Sequence, residues 1–146
     1  MYDSLNNQAT REDVGLGGCA MSSERLASLY MVNLDCADPR AMAGFYSALM
    51  GWEMPYCEDE YSMVSDGTTS IGFGRIDGYT PPRWPDDEHA KQYHLDLRVP
   101  DVAMAEVASM KLGATVPEFQ PGGDRWRVIL DPEGRPFCLM PDAAGS

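Results

Sequence analysis

The chain states one plan twice. Tyr30-Met31-Val32-Asn33-Leu34-Asp35-Cys36-Ala37-Asp38, followed by Phe45, Leu49 and Gly51, is echoed by Tyr93-His94-Leu95-Asp96-Leu97-Arg98-Val99-Pro100-Asp101, followed by Met110, Leu112 and Gly113. The two copies are 63 residues apart, Asp38 to Asp101. Each reads as a strand, an Asp-started helix and a glycine stop. Two similar units in tandem restrict the fold to paired modules, and such pairs make a pocket where the halves face each other.

The first module spans 27–76. Its opening strand, about 28–36, places Leu29, Met31, Asn33 and Asp35 on one face and Tyr30, Val32, Leu34 and Cys36 on the other. Asp38 is an N-cap with Pro39 at the first helical position, and Met42, Phe45, Tyr46 and Leu49 recur at helical spacing until Gly51. Phe45, Tyr46 and Trp52 read as core. Three short strands follow, Trp52 to Cys57, Tyr61 to Ser65 and Thr69 to Ile76, the last two joined by the hairpin dipeptide Asp66-Gly67.

Residues 77–91 form a linker in which Pro81, Pro82 and Pro85 bracket Arg83-Trp84, a composition that gives a stiff, extended stretch. It is expected to close one mouth of a pocket or to cap the module junction. His89, in an acidic run, reads as solvent-facing. The second module, 92–141, repeats the plan: a strand at 92–99, a helix from Asp101 to about Leu112 with Val102, Ala105, Val107 and Met110 on or near its buried face, and strands near 114–119, 125–130 and 136–140. Asp131-Pro132-Glu133-Gly134 is a tight turn before the last of these. Residues 1–26 lack apolar periodicity and read as a flexible extension; Met21-Ser22-Ser23-Glu24 offers a second translation start.

Charge and cysteine usage exclude several classes. With 11 Lys and Arg against 23 Asp and Glu, the net charge of −12 lacks the cationic footprint that nucleic acid requires. No apolar run reaches the roughly 18 residues of a spanning helix, and the polar N-terminus is no secretory signal, so the reading is cytoplasmic with no membrane partner. The four cysteines contain no Cys-x-x-Cys and read as reduced thiols.

Two βαβββ units in series, an Asp at each helix start, and the ordered segments Pro81-Pro82-Arg83-Trp84-Pro85, Tyr93-His94-Leu95-Asp96-Leu97 and Asp131-Pro132-Glu133-Gly134-Arg135-Pro136-Phe137-Cys138-Leu139 resemble the vicinal oxygen chelate superfamily, which includes glyoxalase I, extradiol dioxygenases and bleomycin resistance proteins. The resemblance covers about residues 28–141 and is to the glyoxalase-like branch common in actinobacteria. It implies an α+β fold, two tandem modules making a cupped half-barrel sheet with helices outside, and a ligand on the concave face. It also implies a homodimer.

Metal-bearing members of the superfamily place one ligand on the first strand of each module and one late in each module. Counting from Asp38 and Asp101, those positions fall at Met31, near Gly72, at His94 and at Cys138. Met31 and Gly72 supply no donor suited to iron or manganese, so no metal and no cofactor are expected. In the cup, His94 shares a face with Asp96 and Arg98, and Asn33 and Asp35 would face them from the first module. An imidazole two residues from a carboxylate is minimal acid-base equipment, or equally a satisfied structural pair. Cys138 is either a small buried hydrophobe or, if a simple hairpin count sets Arg127 beside it, an activated thiol. Tyr61, Trp84 and Trp126 offer flat faces to a planar ligand.

The expected site is therefore Met31, Asn33, Asp35, Tyr61, Trp84, Arg98, Trp126, Arg127 and Cys138 for a small organic ligand, with His94 and Asp96 available for chemistry. Three functions follow in order: a metal-free protein that sequesters or processes a secondary metabolite or antibiotic-like compound, a cofactor-independent lyase or isomerase using His94 and Asp96, and a metal-dependent glyoxalase or dioxygenase.

Overall fold

The computed structural model describes residues 29–89 and 93–142. The expected extension at 1–26 and the start of the second module at Gln92 lie outside the described residues. Module one contributes β1 (Val32–Cys36), α1 (Pro39–Met50), β2 (Glu53–Cys57), β3 (Tyr61–Ser65) and β4 (Ser70–Arg75). Module two contributes β5 (Asp96–Val99), α2 (Val102–Lys111), β6 (Arg127–Leu130) and β7 (Pro136–Pro141). The result is α+β with two open mixed sheets, ordered β1-β4-β3-β2 and β5-β7-β6, with β1 parallel to β4 and β5 parallel to β7. No described helix is long and apolar enough to cross a membrane.

The local signals act as the residues dictate. Asp38 and Asp101 both cap, their carboxylates accepting from the amides of Ala41 at 3.0 Å and Met104 at 2.9 Å. α1 ends at Gly51, whose φ of 68° suits a residue without Cβ. The Asp66 carboxylate accepts from Thr68 and Thr69 amides and closes the β3-β4 hairpin. α1 buries Met42, Ala43, Phe45 and Tyr46 against β2, β3 and β4. There the Tyr46 ring stacks on Phe73 and meets Phe137 of module two edge-on.

α2 departs from expectation. Val107 and Met110 are about half exposed, and the sheet-facing stripe is Val102, Ala105 and Ser109. The Ser109 hydroxyl donates to the Ala105 carbonyl at 2.7 Å, so a small polar residue is buried without an unmet partner. Met104, Val107 and Met110 leave an apolar stripe on the outer surface.

The strand expected at 114–119 is reduced to one bridge, Thr115 to Leu130. Continuing that register would set Pro117 against Val128, and proline has no N–H to donate. The side chain of Gln120 takes over: its amide nitrogen donates to the Val128 carbonyl at 2.8 Å and its oxygen accepts from the Val128 N–H at 2.8 Å. One side-chain amide thus replaces a rung of sheet. Gln120→Ala strands both backbone groups of Val128 and should lower stability by about 1–3 kcal/mol, read by chemical denaturation.

The Asp131 to Arg135 turn joins the modules. The buried Asp131 carboxylate accepts from the Tyr46 hydroxyl at 3.0 Å and from the amides of Glu133 and Arg135. Glu133 accepts from the amides of Ala37 and Asp38 at the start of α1. Arg135 donates to the Asp35 carbonyl and to the Tyr79 hydroxyl, lying over the Tyr79 ring. The motif that marks the family resemblance is therefore a staple between modules.

Candidate functional site

β5 runs parallel to β7 with Asp96 beside Cys138, and the Cys138 amide donates to the Leu95 carbonyl at 2.9 Å. Because side chains alternate along a strand, this pairing fixes His94, Asp96 and Cys138 on one face, while Leu95, Leu97 and Val99 pack toward the core. The His94 Nε2 lies 3.1 Å from the Asp96 carboxylate. One donor atom each from His94, Asp96 and Cys138 lies within 4.8 Å of the other two.

These three groups open onto a pocket of about 370 Å³ walled by Trp84, Pro121, Trp126, Val128, Pro136 and Met140. Trp84 comes from the linker, and its indole N–H donates to the Phe119 carbonyl at 3.3 Å. It thereby both caps the 115–125 loop and forms a pocket wall. Trp126 rests directly on Gly122, where a Cβ would overlap its backbone and ring, and the Arg125 guanidinium lies 4.6 Å from the indole centre. The two indoles are held by their surroundings in a site that is apolar except for the imidazole, carboxylate and thiol.

Not every expected site residue joins them. Asn33 and Asp35 open onto a separate cleft of about 830 Å³ beside the linker, shared with Tyr79, Arg83, His89 and Arg135. The expectation that they face His94 and Asp96 is thus corrected: Arg83 and Trp84 are adjacent in sequence but line different cavities, so the linker separates them. Met31 and Tyr61 keep company with Asn33, the Tyr61 hydroxyl donating to Asn33 Oδ1 at 2.9 Å and lying 3.7 Å from Met31 Sδ. Arg98 is largely exposed, 3.9 Å from Asp142.

Arg127 does not sit beside Cys138. The turn is closed by Asp131 and Arg135, with three residues between them instead of two, and Gly134 takes a φ of 93°. The register slips by one, pairing Cys138 with Val128 and Arg127 with Leu139. A one-residue slip turns a side chain to the opposite face, and Arg127 instead pairs with Glu106 on α2. His89 is exposed, as expected, with Asp86 3.1 Å away. Gln120 and Gly122 were missed by sequence reasoning; their only signal was their place among Pro117, Pro121 and Trp126.

The superfamily's inter-module metal site does not fit these residues. At Gly72 the Asn33 and Tyr61 side chains lie where a Cβ would go, so no donor side chain enters from that strand. Met31 gives only a thioether. The remaining donors all come from module two.

Residues 31–140 match the family model of the glyoxalase-like domain, and the chain belongs to that family. No curated protein matches significantly. Among solved structures, a glyoxalase/bleomycin resistance protein/dioxygenase family enzyme from Burkholderia phytofirmans PsJN is 21 % identical, with a TM-score of 0.61 over 80 % of this chain and 100 % of that one. A glyoxalase-related enzyme from Fulvimarina pelagi is 16 % identical, with a TM-score of 0.59 over 80 % and 89 %. The bleomycin resistance determinant encoded on transposon Tn5 is 21 % identical, with a TM-score of 0.51 over 79 % and 98 %. These similarities place the fold in the vicinal oxygen chelate superfamily.

Proposed function

We propose that the protein is a metal-free, small-molecule-binding member of the glyoxalase/bleomycin resistance type, which sequesters or processes a planar organic compound of the secondary-metabolite or antibiotic class. The observation that carries this reading is the module-two pocket, where two indoles held at fixed positions flank a cavity that is apolar apart from His94, Asp96 and Cys138. Each indole face offers a planar ring large contact area without demanding one pose. The chain's charge of −12 raises the local concentration of cations, so a neutral or cationic ligand is favoured over an anionic one. The protein works as a homodimer, with the open sheet edges and the Met104, Val107, Met110 stripe as pairing surfaces.

A second reading rests on the 3.1 Å contact between His94 and Asp96. A carboxylate that orients an imidazole at a pocket wall can move a proton on a bound substrate, as a cofactor-independent lyase or isomerase would require. His94→Gln separates the readings: binding persists under the first, and turnover is lost under the second.

Native mass spectrometry of freshly purified protein tests the first reading in one measurement. The expected spectrum shows a mass near twice the 16.1 kDa chain and no stoichiometric metal. One equivalent of tightly held iron, manganese, nickel or zinc would overturn the metal-free reading.

A further inference from the structure

Cys36, Cys57 and Cys138 are in no disulfide, and their surroundings differ. Cys36 is buried, its Sγ lies 3.5 Å from the Gly74 carbonyl, and burial first, then Glu133, pushes its pKa up to about 12. Cys57 is half-buried on β2, with an Arg40 nitrogen 3.9 Å from its Sγ, and lines neither cavity. Cys36 also lines neither of these two cavities, whereas Cys138 lines the pocket that also holds His94, Asp96 and both indoles. Its residue is only 7 % exposed, so a reagent reaches it through that pocket.

We infer that Cys138 is a nucleophile that captures soft electrophiles seated between Trp84 and Trp126, namely planar α,β-unsaturated carbonyl compounds. The inference rests on the module-two pocket being the ligand site. The arrangement is that of an activated nucleophile: a thiol, an imidazole near it, and a carboxylate that orients the imidazole. In the step, the thiol proton passes to the His94 imidazole and the sulfur lone pair forms a bond to the β-carbon. The C=C π pair moves toward the carbonyl as an enolate, and the imidazolium returns the proton to the α-carbon. One S–C bond forms, one C=C becomes single, and no oxidant, reductant or leaving group is needed. Asp96 holds the imidazole and stabilises its charged form without itself taking a proton.

The same three groups could instead hold a cation, but two features favour thiol chemistry. Both His94 and Asp96 are solvent-exposed, and among the described residues no donor from module one joins them to complete a coordination sphere. The surrounding wall of indole, proline, valine and methionine suits an organic ring better than a hydrated ion.

The test treats purified full-length protein at neutral pH with substoichiometric N-phenylmaleimide or N-methylmaleimide, and follows each cysteine by peptide mass mapping. Cys138 should be modified before Cys36 and Cys57, and at least tenfold faster than in His94→Asn. The phenyl reagent should gain over the methyl one at Cys138 but not at Cys57, whose rate in the same sample reports that the variant is folded. Asp96→Asn should slow Cys138 to a smaller degree. Preferential labelling of Cys57, equal Cys138 rates with and without His94, or labelling that begins only after a chelator strips zinc would each overturn the inference. Proflavine binding to the same unmodified wild-type protein distinguishes this failure from that of the binding reading. Retained dye binding without Cys138 labelling rejects only the nucleophile, whereas loss of both rejects the pocket.

Discussion

Asp131→Ala removes more stability than any other single truncation expected here, about 3 kcal/mol or more, because three hydrogen bonds to a buried carboxylate are lost together. The Tyr46 hydroxyl, which sits in the aromatic core between modules, is left without its acceptor. Thermal unfolding should show a fall of roughly 10 °C in Tm. Asp131→Asn should be milder, since an amide oxygen still accepts from the Glu133 and Arg135 amides. The pair also predicts a pH effect. Burial raises the Asp131 pKa above the ordinary 3.8, against the opposing pull of the Arg135 amide and the Tyr46 hydroxyl. A carboxyl group with a raised folded-state pKa contributes stability that is fully present below 3.8 and is lost as pH rises through the folded value. The wild type should therefore lose stability relative to Asp131→Asn on going from acid toward neutral pH. A constant difference across that range would show that Asp131 does not titrate as its burial requires.

Gly122→Ala is the second large effect, and it acts on the site. The added Cβ meets the Trp126 carbonyl oxygen and ring, and a backbone atom cannot swing aside as a side-chain end can. Overpacking of this kind costs about 1–3 kcal/mol. Relief requires Trp126 to leave its place in the pocket wall, so ligand affinity should fall about tenfold along with Tm. Gly72→Ala makes a useful contrast, because its Cβ overlaps only the ends of the Tyr61 and Asn33 side chains, which can rotate away. It should leave binding in the module-two pocket unchanged. Calorimetric titration of the two variants, with melting curves beside it, checks both statements.

Much of the architecture was legible because its signals are local. Asp38, Asp101, Gly51 and Asp66-Gly67 act within a few residues of themselves, and each does in the structure what its chemistry dictates. Strand alternation likewise carried His94, Asp96 and Cys138 to one face. What escaped depends on partners distant in sequence or on a count of one residue. Pro117 blocks a rung only because Val128 lies opposite, and Gln120 is informative only once that gap exists. Arg127 was misplaced because two- and three-residue turns read alike around Asp131-Pro132-Glu133-Gly134. The separation of Asn33 and Asp35 from His94 follows from how the linker folds, which no periodicity encodes.

The proposed function stands on ligand binding between Trp84 and Trp126 in module two. The chain has three tryptophans, and the third, Trp52, packs against the module-one core. Indole Nε1–H resonances in a two-dimensional nitrogen-15 spectrum therefore report the site directly during titration with proflavine, a planar cation. The Trp84 and Trp126 resonances should move together and saturate while Trp52 stays fixed. Saturable binding in which Trp84 and Trp126 remain still, and the Asn33 and Arg83 resonances of the linker cleft move instead, would contradict it.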